Sequence, residues 1–457
     1  MIYNILYFMC TMGITFYAII SALHFIKIIS LFIRKRNKKV LVTNYKKSMH
    51  DENMIPISVV VPINDESVYI LESIQEMMKL DYPQFEIIIV NDGYNNDNSK
   101  MILEHFKMEK IEPAIKRSLS TKKIRNIFYN FEYPNIIYAE KDKGGMQDTL
   151  NCGINISQYP LFLPLEAGSR VKCDCLSKLV MDFLKNSSTV ISSGFFIYSK
   201  EEVDKFDKDK ESTDKPSFKR MQVLKSVKDS VLDIFNRYLY SSMDSKTGIF
   251  GLFNKQAVID CGGYMSDTAD PYSNLIIKMQ AIFMKNKRKC SFAFHKEVPC
   301  YIYPKKSFSE IWNAQKRWQF GLIDIFKKNW NVMFNGSYNR LGFIDLPFYI
   351  FFEILFPICE IVIYAMFFAF FFIGGFTWQF LILYLVLVIL INSIISLGSL
   401  VINQIDNFEY TKLNLRLALW AFLENFGFRQ IMIICRIVGM IRYRSYRKQL
   451  KKFNTIK

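Results

Sequence analysis

Residues 57–61, Ile57-Ser58-Val59-Val60-Val61, and residues 86–90, Glu86-Ile87-Ile88-Ile89-Val90, are short, nearly unbroken apolar runs rich in β-branched side chains. Runs of that length and kind read as strands buried on both faces, as in a parallel sheet covered by helices. Further runs alternate with helical stretches on either side, so residues 37–310 are predicted to form an α/β, Rossmann-like domain with a mostly parallel sheet. Within it, residues 200–220 are rich in Lys, Asp, Glu and Ser and read as a solvated charged loop.

Hydrophobic segments flank this domain. Residues 1–36 hold an apolar stretch interrupted only by Asn4, His24 and Lys27, long enough for a tilted span of about 20 residues. No basic region precedes it and no small-residue cleavage site stands out, so it reads as an anchor rather than a leader. Residues 311–340 combine aromatic and basic side chains, as helices lying in a membrane interface do. Residues 341–402 hold two further spans joined at Gly374-Gly375. In residues 403–457 the apolar run is broken by Glu424, Asn425, Arg429, Gln430 and Arg436, which suits packing at the interface or against protein, not lipid.

The net charge of +17 would suit nucleic acid or an anionic membrane, and its placement decides between them. It gathers at 34–39 and at 442–452, each just beyond an apolar run, which is the positive-inside pattern. The sequence therefore predicts membrane lipid and not nucleic acid as a partner, in a multi-pass protein of the cytoplasmic membrane with its globular domain in the cytosol. Arg442, Arg444 and Arg447 suit anionic headgroups, with a cyclic dinucleotide as the alternative. The nine cysteines are scattered and the four histidines lie far apart, so neither a disulfide framework nor a paired metal motif is expected.

Several motifs then fall in a familiar order. They are Val59-Val60-Val61-Pro62-Ile63-Asn64-Asp65-Glu66, Leu80-Asp81-Tyr82-Pro83, Ile88-Ile89-Val90-Asn91-Asp92-Gly93, Lys141-Asp142-Lys143-Gly144-Gly145, Gly262-Gly263-Tyr264 and Arg317-Trp318. Together with Pro347 to Glu360 and Glu424 to Gln430 they resemble membrane-bound family 2 glycosyltransferases, inverting enzymes of the GT-A fold, in the subgroup that makes bacterial cell-surface polysaccharide. The resemblance implies a UDP-type nucleotide sugar whose base meets Asp92 and the turn reaching Glu66, with Glu166 near the ribose. It also implies Mg2+ or Mn2+ if the chain is active.

The same comparison shows departures. The aspartate-any-aspartate element falls on Glu166-Ala167-Gly168, so the usual metal-ligand position is a glycine and Glu166 is the one metal candidate left. The Glu-Asp pair that supplies the base falls on Pro271-Tyr272. A tyrosine, whose ordinary pKa is about 10, is a poor base at neutral pH, and Asp270 beside it is the substitute. The glutamine of the Gln-x-x-Arg-Trp element falls on Ala314, leaving Gln315, Arg317 and Trp318 for acceptor or interface contacts. Two readings follow: a catalytically impaired accessory or regulatory partner of an active paralogous synthase, or an active, divergent transferase working through Glu166, Asp270 and Gln315. Glu353 and Glu360, seven residues apart, are expected to bond to neighbouring helices or to line a polymer path.

Overall fold

The alternation of side chains along a strand sends neighbours to opposite faces, and in the first two strands both faces are apolar. The computed structural model of the chain shows what covers them. It describes residues 54–63, 70–93, 97–198, 220–231, 250–305, 307–373, 378–405 and 415–455, with scattered helical positions between 7 and 29. Glu66, the Gly374-Gly375 turn, most of the first apolar segment and residues 200–219 of the charged loop lie outside the described residues.

Strand β1 (Ile57–Ile63) lies between β2 (Phe85–Asn91) and β6 (Leu161–Pro164), parallel to both. Parallel β5 (Ile136–Lys141) extends the row beyond β2. Ile57, Val59 and Val61 with Ile87 and Ile89 face one core, which they share with Ile74 of helix α1 (Ile70–Met78) and Leu179 of a later helix, Cys175–Lys185. Val60, Ile88 and Val90 face the other side, against residues 150–156 of the helix Met146–Ile156. Gly153 allows that contact: a Cβ there would come within 2.3 Å of Val60 Cγ1.

Numbered in chain order, the helices are α1, α2 (Asp97–His105), α3 (Met146–Ile156), α4 (Cys175–Lys185), α5 (residues 220–231), α6 (Lys255–Asp260) and α7 (Pro271–Lys285). Then come α8 (Phe308–Lys328), α9 (Leu346–Ile350), α10 (Phe356–Phe372), α11 (Trp378–Ile405), α12 (Leu415–Leu423) and α13 (Phe428–Thr455).

The described residues form one ten-stranded sheet of order β3-β4-β5-β2-β1-β6-β9-β8-β10-β7. Its other strands are β3 (Glu109–Ile111), β4 (Ile124–Tyr129), β7 (Arg170–Val171), β8 (Thr189–Tyr198), β9 (Gly251–Asn254) and β10 (Ser291–Ile302). The parallel arrangement read from the sequence holds for β5-β2-β1-β6 and for β8-β10. The rest is antiparallel: β3 and β4 at one edge, β9 wedged between β6 and β8, and β7 at the far edge, so the whole sheet is mixed. Strands as short as β7 and β9 carry too few residues to announce their direction.

Beyond the sheet, Ser307 is the N-cap of α8, accepting from Glu310 N at 3.2 Å while its hydroxyl donates to Glu310 Oε1 at 3.1 Å. Two π-helical turns, Leu341–Asp345 and Phe351–Leu355, flank α9 and lead into α10. The last apolar region divides at residues 424–427 into α12 and α13. Helix α13 lies along α8, close enough that a Cβ at Gly439 would stand 3.1 Å from Gln319 Cβ. Among the described residues no helix is long and apolar enough to cross a membrane. Helix α10 has 17 residues.

Candidate functional site

In an open parallel sheet, ligands sit beyond the carboxyl ends of the strands, where the order turns back. Here that place lies beyond β1 and β6, with the ends of β2 and β5 alongside. β2 ends at Asn91-Asp92-Gly93. The Asp92 carboxylate is buried and fully engaged: it accepts from Gly144 N and Gly145 N, both at 2.8 Å, and pairs with Lys141. Lys141 is itself fully buried and also reaches Asp148 at 2.8 Å, while Asp148 accepts from Lys122 N at 3.0 Å. The Lys-Asp-Lys-Gly-Gly motif thus folds back onto the end of β2 and binds Asp92 from within.

β6 ends in Leu165-Glu166-Ala167-Gly168. Gly168 has φ of +87°, the left-handed region, where an aspartate would be strained, and its N–H is bound by Ser73 Oγ at 2.8 Å. Glu166 opens to solvent on one side, yet the protein around it raises its carboxyl above the usual range. The cations of Lys305 and Arg317 oppose that rise and Asp270 adds to it.

Asp270 is the N-cap of α7 and accepts from Ser273 N at 3.1 Å. Burial raises its carboxyl against these hydrogen bonds. Tyr272, in the second position of α7, has its hydroxyl pushed well above 10 by burial and then by the negative charge of Glu166 and Asp270. Glu166, Asp270, Tyr272 and Arg317 thus act on one another electrostatically. Gly321 of α8 fits against this loop, since a Cβ there would come 2.6 Å from Asp270 Cβ. Among the described residues no three His, Cys, Asp or Glu side chains are grouped to hold a metal. At the motif itself, Glu166 alone would hold Mg2+ or Mn2+, which would then depend on substrate phosphates for its other ligands.

The loop carrying Asp270 is also fixed from behind. Asp324 of α8, almost fully buried, accepts from Ala269 N at 3.1 Å and from the Tyr443 hydroxyl at 2.7 Å. Arg447 donates to the Asp267 carbonyl at 2.8 Å, and Lys328 pairs with the Asp267 carboxylate. Nothing in the sequence singled out this cluster, because its members stand up to 180 residues apart.

Trp318 and Gln315 turn the other way from Arg317, into a cavity of about 330 Å3 between α5, α8, the second π-turn, α10 and α13. Three ion pairs line it: Glu353 with Arg436 at 3.0 Å, Glu360 with Arg429 at 2.7 Å, and Glu424 with Lys228 at 2.8 Å. Glu353 and Glu360 are seven apart, as are Arg429 and Arg436, so the first two pairs are successive rungs between antiparallel helices. That doubled spacing was visible in the sequence. The guanidinium of Arg436 stands 4.9 Å over the Trp318 ring.

Residues 58–244 match the family described as Glycosyl transferase family 2. Among curated proteins, a poly-beta-1,6-N-acetyl-D-glucosamine synthase of Staphylococcus epidermidis is 22% identical over 313 residues, covering 67% of this chain and 64% of the relative. Glycosyltransferase GlyG of Streptococcus pneumoniae is 25% identical over 142 residues, 31% of this chain and 40% of that one. Among solved structures, the mannosyltransferase PcManGT from Pyrobaculum calidifontis, in complex with GDP-Man and Mn2+, superposes with a TM-score of 0.56. That match covers 95% of this chain and 98% of the neighbour at 12% identity. The chain thus has a GT-A-type fold, and residues 58–244 are similar to family 2 glycosyltransferase domains, with more distant similarity to a polysaccharide synthase.

Proposed function

We propose that this chain is a membrane-seated, family 2 glycosyltransferase-like component of cell-surface polysaccharide synthesis whose donor edge does not perform transfer, and that it acts as an accessory or regulatory partner of an active synthase. One observation carries the reading: each carboxylate left at the donor edge is either engaged by the fold or stands alone. Asp92 is bound by Lys141 and two backbone N–H groups, Asp270 caps α7, and Glu166 has no neighbouring ligand at Gly168. The group at the base position, Tyr272, holds its proton far too tightly to serve near neutrality.

The seat in the cytoplasmic membrane, with the globular domain in the cytosol, is supported by apolar side chains exposed along the C-terminal half. Trp330, Phe334, Phe343, Phe368, Phe372 and Ile441 are each at least 45% exposed, apolar surface suited to lipid contact. Anionic lipid beside the basic residues of α13 is part of this proposal.

A second reading, an active and divergent transferase using a UDP-type sugar, is favoured by the raised carboxyls of Glu166 and Asp270. A carboxyl shifted toward neutrality is a better proton acceptor at working pH. Calorimetric titration of UDP into the detergent-purified full chain, with and without Mn2+, separates the two. No binding up to about 1 mM is the outcome expected. Manganese-dependent binding would replace the accessory reading with the active one.

A further inference from the structure

Beyond the end of α8 the surface folds into a groove of about 660 Å3, within the usual range for ligand sites. Its wall runs from the last turn of α8 through both π-helical turns and α9, and includes Phe326, Trp330, Phe334, Phe343, Ile350 and Leu355. No charged, hydroxyl or amide side chain lines it. Trp330, Phe334, Phe343 and Leu355 are nevertheless exposed. Left wet, such a wall keeps apolar area in water that an occupant made of hydrocarbon would remove.

The backbone holds this shape against its own preference. Phe334 has φ of +55°, a region a bulky side chain rarely adopts, and its N–H donates to the Gly342 carbonyl at 3.0 Å. Gly342 lets the first π-turn close on that loop, since a Cβ there would stand 2.5 Å from the Val332 carbonyl oxygen. The strained residue is thus one whose exposed ring lines the groove, and not a core residue. On the inner side, Ile350, with Phe326, Met333 and Ile354 packed about it, shares one core with Ile277 and Ala281 of α7, the helix that Asp270 caps.

The helix onto which the groove opens indicates what fills it. From the second π-turn into α10, Leu355, Ile358, Val362, Phe368 and Phe372 are exposed and fall on one side. Glu353, Pro357, Glu360 and Ile363 fall on the other side and are buried. A helix in water carries its polarity the other way round. An apolar side facing out with ion pairs held within is the arrangement of a helix surrounded by hydrocarbon. Leu355 belongs both to this stripe and to the groove wall, so the two surfaces are continuous. A protein partner would instead bring backbone N–H and C=O groups to a wall with no charged, hydroxyl or amide side chain to meet them.

We propose that the groove holds one acyl chain of a bilayer phospholipid, entering past Leu355 and Phe343 and lying against Trp330, and that this chain extends the core beneath α7. The proposal deepens the membrane seat argued above and rests on it. Lipid is then a ligand bound at a fixed place as well as the medium around the protein.

The test uses the full chain in nanodiscs of phosphatidylcholine and phosphatidylglycerol whose acyl chains carry bromine, which quenches indole fluorescence on contact. The difference between the parent and Trp330→Phe isolates the emission of Trp330 from that of the other tryptophans. That emission should lose most of its intensity in brominated discs relative to unbrominated ones. Ile354→Phe, which fills the groove, and Phe343→Asp, which sets a charge at its mouth, should each restore it, each read against its own Trp330→Phe double variant. Equal loss in the parent and both variants, with thermal midpoints held, would mean that Trp330 merely faces bulk lipid and would overturn the groove. Trp330 unquenched while the other tryptophans are quenched would overturn it too, and would give the groove to a second copy or another protein. If Ile354→Phe does not fold, Phe343→Asp decides, because Phe343 is exposed. Failure of the chain to enter the discs at all would sink the membrane seat and the groove's ligand with it, an outcome separate from the other two.

Discussion

The donor edge of the sheet and the cavity beside α8 hold similar numbers of charged side chains and use them oppositely. At the donor edge the charges face inward: Lys141, Asp92 and Asp148 bind one another and the Gly144-Gly145 turn, and Asp270 binds the start of its own helix. Around the cavity the charges pair between separate elements, Glu353 with Arg436, Glu360 with Arg429 and Glu424 with Lys228. The first arrangement stabilises local turns, and the second ties separate elements together. Adjacent residues of α8 serve the two regions: Arg317 acts on Glu166 electrostatically, and Trp318 lines the cavity.

The comparison can be broken by substitution. Asp92→Ala leaves Lys141 buried with one partner fewer and should destabilise the protein by about 3–5 kcal/mol, read by denaturant unfolding. Were Asp92 a nucleotide contact instead, UDP affinity would fall and stability would hold. At the cavity, Arg429→Met strands the buried Glu360 and should cost roughly 2–4 kcal/mol. The double variant Glu360→Gln/Arg429→Met should recover most of that, and no recovery would mean the pair is not the unit that matters.

The smallest effect concerns pH. Burial raises the Asp270 carboxyl in the folded state, so the folded chain holds that proton to higher pH than the unfolded chain does. Its stabilising contribution is full below the ordinary carboxylate value and is lost as pH rises through the raised one. Asp270→Asn retains a good cap and should remove this loss, so the two stability curves converge in acid and separate, with the variant above, toward neutrality. Parallel curves would place the raised carboxyl elsewhere.

How much of this was legible depends on how local each signal is. The strands β1 and β2 announced themselves because all their residues are buried and all but Ser58, Glu86 and Asn91 are apolar, which a two-sided core demands. The altered positions Gly168, Tyr272 and Ala314 were legible by counting along motifs. The antiparallel half of the sheet was not, since β7 has two residues and β9 four, and their partners are far away in sequence. The role of Lys141 was hidden because a lysine reads as a surface residue until a fold encloses it. The rungs between Glu353, Glu360, Arg429 and Arg436 were half visible: the spacing of seven could be read from either helix, but their pairing required the helices to be brought together.

The cluster of Asp267, Asp324, Tyr443 and Arg447 has a consequence for how the protein is made. The loop ending at Asp270 is synthesised early, yet two of the groups that fix it follow by 55 and 180 residues, counted from Ala269 to Asp324 and from Asp267 to Arg447. A ribosome must deliver α10, α11 and most of α13 before that loop has all its partners. The globular domain is thus completed last at the very place where its chemistry would reside, and a nascent chain cannot assemble that corner until the helices behind it are in position.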